Sequence, residues 1–119
     1  MLVGHGSRTR GFDTAMRKVA QALKRTGRYR DVRCGFLEAS RPSIPRAIFQ
    51  CVRRGAREVS VLPYFVLTGK HVTRDIPNLV AEEAKKYRGQ ARIVLCPYLG
   101  YHPGLVWAAR RRLREGHAR

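Results

Sequence analysis

Apolar residues recur along this chain at two alternating periods, and the alternation predicts its elements. Leu2-Val3-Gly4 opens as a short strand. Phe12, Ala15, Met16, Val19, Ala20 and Leu23 follow at spacings of three and four, the mark of one helical face. Gly27 is placed to close that helix. A second strand is expected from Arg30 to Glu38. Ser43 then caps a second helix whose inner face is Ile44, Ala47, Ile48, Cys51 and Val52. Pro45 is tolerated in its first turn, and Gly55 ends it. Glu58 to Leu67 reads as a third strand, and its near-continuous apolar run suits burial on both faces. The loop Thr68-Gly69-Lys70-His71 leads into a third helix with Ile76, Leu79, Val80, Ala84 and Tyr87 inward. Pro77 marks either a kink or the true start of that helix. Ala91 to Cys96 is a fourth strand and Pro97 to Gly104 a loop. A last helix runs from about Leu105 to Arg114, with Leu105, Val106, Ala109 and Leu113 expected inward.

Strand and helix thus alternate four times with short connections. That predicts one α/β domain over residues 1–119, with a parallel sheet covered by helices on both faces. Right-handed crossovers leave few topologies, and the simplest is a flavodoxin-like three-layer sandwich of strand order 2-1-3-4. Its switch point, where ligands bind, lies between strands 1 and 3. Three strands lead into side chains able to hold a metal: His5, Glu38 and His71, separated by 33 and 33 residues. One strand–helix repeat takes roughly 30 residues, so the three are expected at one sheet edge. Neighbouring strands lie ~4.8 Å apart, and two imidazoles that close on a shared ion at ~2.1 Å each are expected to hold their nearest nitrogens within roughly 7 Å before it binds.

Each of these residues also has a plainer reading. Gly4-His5-Gly6-Ser7-Arg8 suits close approach to a ligand, an anion cradle, or an ordinary tight turn. It fails the dinucleotide fingerprint, because Thr9 stands at the third glycine position. Gly69-Lys70 fails as a P-loop, because His71 replaces Ser or Thr and Tyr64 replaces the first glycine. An ATP-driven mechanism therefore has no support in the sequence. Glu38 is either a site carboxylate or an ion-pair partner of Arg41, and His71 alone would read as solvated. His102 and His117 read as surface residues.

Charge changes the picture more than length does. The chain carries 25 Lys and Arg against 8 Asp and Glu, formally +17. Nucleic acid, acidic lipid or a polycarboxylate would all be attracted. A bias toward Arg would give the same count, since 20 of the 25 are Arg. The run Arg110-Arg111-Arg112-Leu113-Arg114 is either a nucleic-acid tail or the solvated face of a terminal helix. Cys34, Cys51 and Cys96 are odd in number and form no C-x-x-C, as expected for free thiols in the cytoplasm. The chain begins directly on a strand, so no signal peptide is expected, and no apolar run approaches the ~20 residues that span a bilayer.

Taken together, Leu2 to Arg8, Phe36-Leu37-Glu38, Leu62-Pro63-Tyr64-Phe65, Leu67, Gly69, His71 and Asp75-Ile76-Pro77 resemble the small sirohydrochlorin chelatases of the CbiX/SirB group. The resemblance runs from the first residues to about Val80 and thins toward the carboxyl end. It departs at the amino end, where Met1 leaves the first strand very short and points to native residues missing ahead of it. The resemblance implies a chelatase-like fold and ATP-independent insertion of a divalent metal into sirohydrochlorin, in cobalamin- or sirohaem-type tetrapyrrole biosynthesis. It implies His5 and His71 as metal-binding and catalytic, with Glu38 assisting. It favours Co²⁺, and a His/Glu/His set also suits Fe²⁺ or Ni²⁺. No organic cofactor is expected. Short members resemble one half of longer relatives and are expected to pair as homodimers. Arg8, Arg10, Arg41, Lys70 and Arg74 lie near the inferred mouth and are expected to bind substrate carboxylates. The competing reading is a non-enzymatic module for phosphate, nucleotide or nucleic acid. Specific nucleic-acid binding is not expected, because the aromatics fall mostly at core positions.

Overall fold

A computed structural model of the chain describes residues 1–118. Its elements are β1 (Leu2–Gly4), α1 (Thr14–Arg25), β2 (Cys34–Phe36), α2 (Ile44–Arg53), β3 (Glu58–Pro63), a π-helical turn (His71–Asp75), α3 (Ile76–Lys86), β4 (Arg92–Leu95) and α4 (Pro103–His117). The strands form one parallel sheet in the order β2-β1-β3-β4. β1 and β3 are adjacent, with Val3 level with Pro63, so the switch-point crevice opens directly beyond them.

Alternation along the strands builds a core on each face. Val3, Val59, Val61 and Ile93 face α2 and α3 and meet Ile44, Ile48, Cys51, Val52, Ile76 and Val80. Leu2, Cys34 and Phe36 face α1 and meet Met16 and Ala20. Ile44, Ile48 and Ile76 are wholly buried, and truncating any of them to Ala would cost about 2–5 kcal/mol. The predicted caps are present. Ser43 Oγ accepts from Arg46 N–H at 3.2 Å. Gly27 and Gly55 take φ of +76° and +97° after their helices, a conformation that favours glycine.

Four expectations need correction. The second strand is only Cys34–Phe36, because its one partner, β1, is itself three residues long. The third strand stops at Pro63; Val66 and Leu67 beyond it are 51% and 80% exposed. Nor is that strand buried on both faces, since Glu58 and Ser60 are exposed while Val59 and Val61 are buried. The largest difference is α4. None of its residues is buried, and Val106, Trp107 and Leu113 are exposed, so they do not point into the domain. After β4 the chain crosses back over the end of β3, where Leu99 N–H donates to Pro63 O and Gly100 N–H to Phe65 O. α4 then leaves the body instead of returning along the sheet. The radius of gyration, 15.5 Å, accordingly exceeds the ~13.5 Å expected for a compact domain of this length.

Candidate metal site

The loop after β1 is fixed against the loop after β2. Leu37 N–H donates to Gly4 O at 3.1 Å and Glu38 N–H to His5 O at 3.0 Å, which carries the ladder one step past both strands. The next residue must be glycine. Gly6 has φ +102°, and a Cβ there would lie 1.7 Å from Glu38 O. A second clasp follows, in which Ser7 N–H donates to Ser40 Oγ at 3.0 Å and Ser40 Oγ–H to Ser7 O at 2.8 Å. This apposition sets the Glu38 carboxylate beside the His5 ring, with Oε1 3.0 Å from Nε2. The other ring nitrogen, Nδ1, is 3.0 Å from Gly6 O. Two lone pairs would repel at that separation, so a proton or a cation belongs between Nε2 and Oε1.

His71 arrives from the far side of the crevice, at the start of the π-helical turn that precedes α3. Its ring centroid lies 4.6 Å from that of His5, with the planes tilted by 59°. Ring nitrogens sit about 1 Å from the centroid, so the nearest pair falls within the roughly 7 Å from which an unliganded site could close on a shared ion with ~2.1 Å bonds. His71 Nδ1 is 2.9 Å from Asp75 Oδ2, and Arg74 Nε donates to Asp75 Oδ1 at 3.2 Å. The Arg74 hydrogen bond, aided by that from His71 and opposed by slight burial, holds the Asp75 carboxyl below its ordinary value. Both imidazoles remain about half exposed, at 44% and 45%.

Among the described residues, no three His, Cys, Asp or Glu side chains stand close enough to form a ready-made cage. The arrangement is open: two half-exposed imidazoles lie in ring contact, one with a carboxylate at its Nε2. Nitrogen and carboxylate donors of this kind suit first-row divalent ions. Cys34 and Cys51 supply no thiolate to it. Burial pushes the Cys34 and Cys51 thiols up, and both lie in the packed interior.

The predicted basic residues divide into two groups. Arg8, Arg10, Arg41 and Lys70 are exposed, and none has a carboxylate partner among the described residues. Arg74 is engaged by Asp75. Arg41 does not pair with Glu38, whose partner is His5. A cavity of about 740 Å³ lined by Lys24, Arg30, Arg54 and Arg57 opens at the strands' amino ends, and none of the site residues lines it. Two features escaped the sequence reading. Ser40 gave no signal, because its clasp depends on two loops meeting. Asp75 stands four residues after His71, a spacing that could have flagged it. The aromatic placement also needs correction: Tyr29, Tyr101 and Trp107 are exposed at 53%, 79% and 61%, so they are not core residues.

Similarity to known proteins follows the same outline. The chain is 35% identical over 102 residues to a protein named sirohydrochlorin ferrochelatase, chloroplastic, from Arabidopsis thaliana, covering 86% of this chain and 45% of that one. It is 33% identical over 106 residues to a sirohydrochlorin cobaltochelatase of Sulfolobus acidocaldarius, covering 89% and 81%. Its fold superposes on the sirohydrochlorin chelatase SirB of Bacillus subtilis, solved in complex with cobalt, with a TM-score of 0.85 and 29% identity, over 96% of this chain and 48% of that one. The chain spans about half the length of several of the curated relatives it matches. The CbiX family model matches residues 1–116, essentially the whole described chain, and with the sheet order and crevice just described the chain belongs to the CbiX family.

Proposed function

We propose that the protein inserts a divalent metal ion, cobalt by preference, into sirohydrochlorin without ATP. The observation that carries this reading is the 4.6 Å approach of His5 and His71 across the β1/β3 crevice, with Glu38 against His5. The metal is a substrate here. His5 and His71 hold it at the crevice, and the macrocycle docks over them. As the ion enters the ring, two pyrrole N–H bonds break and two protons leave. Glu38, 3.0 Å from His5 Nε2, takes one of them as general base, and the other passes to solvent on the exposed side of the crevice. Arg8, Arg10, Arg41 and Lys70 bind the acetate and propionate groups through charge-assisted hydrogen bonds. The relatives' names supply the substrate and both metals, cobalt and iron.

The working unit in this reading is a cytoplasmic homodimer. One chain offers one wall to a wide, flat macrocycle, and α4 exposes an apolar stripe that its own chain leaves uncovered. Light scattering at assay concentration should give twice the chain mass; an active monomer would refute the pairing. The decisive experiment is an insertion assay with sirohydrochlorin and Co²⁺, Fe²⁺ or Ni²⁺, followed by visible absorbance. Wild type should exceed the uncatalysed rate, and His5→Ala and His71→Ala should each lose most of that excess. Equal rates with and without protein, for every metal, would overturn the proposal. One observation favours a second reading. Trp107 and Tyr101 are exposed, and the Arg111 guanidinium lies 5.9 Å from the Trp107 ring, as in single-strand binding surfaces. Binding of single-stranded nucleic acid at physiological salt, with no metal insertion, would support that module instead.

A further inference from the structure

We propose that Asp75 is a positioning residue: it fixes the tautomer and direction of His71 so that a bare Nε2 faces the gap in front of His5. The inference rests on the metal-site reading for its purpose, and on geometry alone for its substance.

A carboxylate only accepts hydrogen bonds, so the 2.9 Å contact between Asp75 Oδ2 and His71 Nδ1 requires the ring proton on Nδ1. In the neutral ring the lone pair is then on Nε2. The carboxylate is anchored at its other oxygen, because Arg74 Nε donates to Oδ1 at 3.2 Å. His5 has no such bias: its Nδ1 lies 3.0 Å from the Gly6 carbonyl and its Nε2 3.0 Å from Glu38 Oε1, so both of its ring nitrogens face acceptors, and His71 is the ring whose tautomer a carboxylate sets. Partners of this type orient metal-binding histidines and raise their basicity.

Local chain geometry explains how Asp75 reaches the ring. In an α-helix the residue at 77 would donate its N–H to Thr73 O, but Pro77 has none. The turn widens instead, and Ile76 N–H donates to His71 O, five residues back. Widened turns of this kind are frequent at functional sites. His71 and Asp75 come to one side of the turn, while Ile76 is wholly buried and anchors the start of α3.

The test begins without metal. In ¹⁵N-labelled protein, at a pH where the ring is neutral, the two His71 ring nitrogens report the tautomer, with His71→Gln used for assignment. Wild type should show the Nδ1–H form. Asp75→Asn retains an acceptor oxygen and should keep that form, whereas Asp75→Ala should show a mixture of both. A titration with Co²⁺, followed by visible absorbance, should then give an affinity about 10-fold weaker or worse for Asp75→Ala, and near wild type for Asp75→Asn. An Nε2–H ring in wild type, or an unchanged tautomer in Asp75→Ala, overturns the proposal. A fixed tautomer in a wild type that binds no Co²⁺ upholds the positioning role and sinks the metal reading instead. Should Asp75→Ala fail to fold, the wild-type tautomer still decides: Nδ1–H supports the role of Asp75 and Nε2–H refutes it.

Discussion

Replacing Gly6 by Ala tests whether the site depends on two backbones meeting. The added Cβ would lie 1.7 Å from the Glu38 carbonyl oxygen, and its nearest neighbours are all backbone atoms of Glu38. No side-chain rotation relieves such a contact. The φ of +102° adds a conformational cost of about 1–3 kcal/mol. Separating the loops also strains the Glu38 N–H to His5 O bond and the one from Leu37, about 0.5–1.5 kcal/mol each. The sum, about 2–6 kcal/mol, is a large share of the 5–15 kcal/mol typical of a domain. The thermal midpoint should fall by about 8–24 °C. Two internal controls separate the causes. Gly27 has φ +76° with nothing within 4 Å of its would-be Cβ, so Gly27→Ala isolates the backbone cost, about 1–2 kcal/mol. Gly69 has neither a positive φ nor a neighbour, so Gly69→Ala should change stability by less than about 0.5 kcal/mol. Calorimetry on the three variants, with a Co²⁺ titration alongside, reads all of this. A Gly6→Ala midpoint no lower than that of Gly27→Ala would refute the argument, because the apposition would then yield without cost.

Glu38→Gln preserves shape, and its side chain is 65% exposed, so metal insertion should drop several-fold while the urea midpoint stays put; unchanged turnover with every metal would demote the carboxylate. Raising salt from 0.1 M to 1 M shortens the Debye length from ~10 Å to ~3 Å and should weaken sirohydrochlorin binding. Arg8→Ala or Arg41→Ala should raise KM, whereas neutralising Arg110, Arg111 and Arg112 together should leave it alone, and the reverse ranking would move the substrate to α4. Although partial burial pushes Asp31 up, the hydrogen bond and charge of Arg33, with Lys24 nearby, hold it below its ordinary 3.8. Its depressed folded value makes it stabilising above that pH, so Asp31→Asn should lose stability at pH 7 and converge with wild type in acid; a gap that persists in acid would contradict this.

The topology and the meeting of His5, Glu38 and His71 were legible because both depend on strand ends. A parallel order of 2-1-3-4 follows from repeat length and handedness, and His5, Glu38 and His71 each stand just past an apolar run. What escaped depends on partners. A strand's length is set by its neighbour, so β2 stops where β1 stops, whatever its own propensity. An amphipathic pattern predicts a helix at Leu105 to Arg114 but does not say what its apolar side meets, and here no described residue of that helix is buried. The His71–Asp75 contact depends on a turn widened by Pro77, a local irregularity that regular periodicity does not encode.

The half exposure of the two imidazoles has a kinetic meaning. A storage protein gains by keeping its ion, and encloses it. A delivery protein must let go, and every increment of ground-state affinity deepens the well from which the ion has to climb without lowering the crest. In the proposed reading, an ion held by His5 and His71 would keep water on that open side, and water is the ligand that an incoming pyrrole nitrogen would most readily displace. Closing the crevice around the metal would lengthen its residence time and slow each round of transfer.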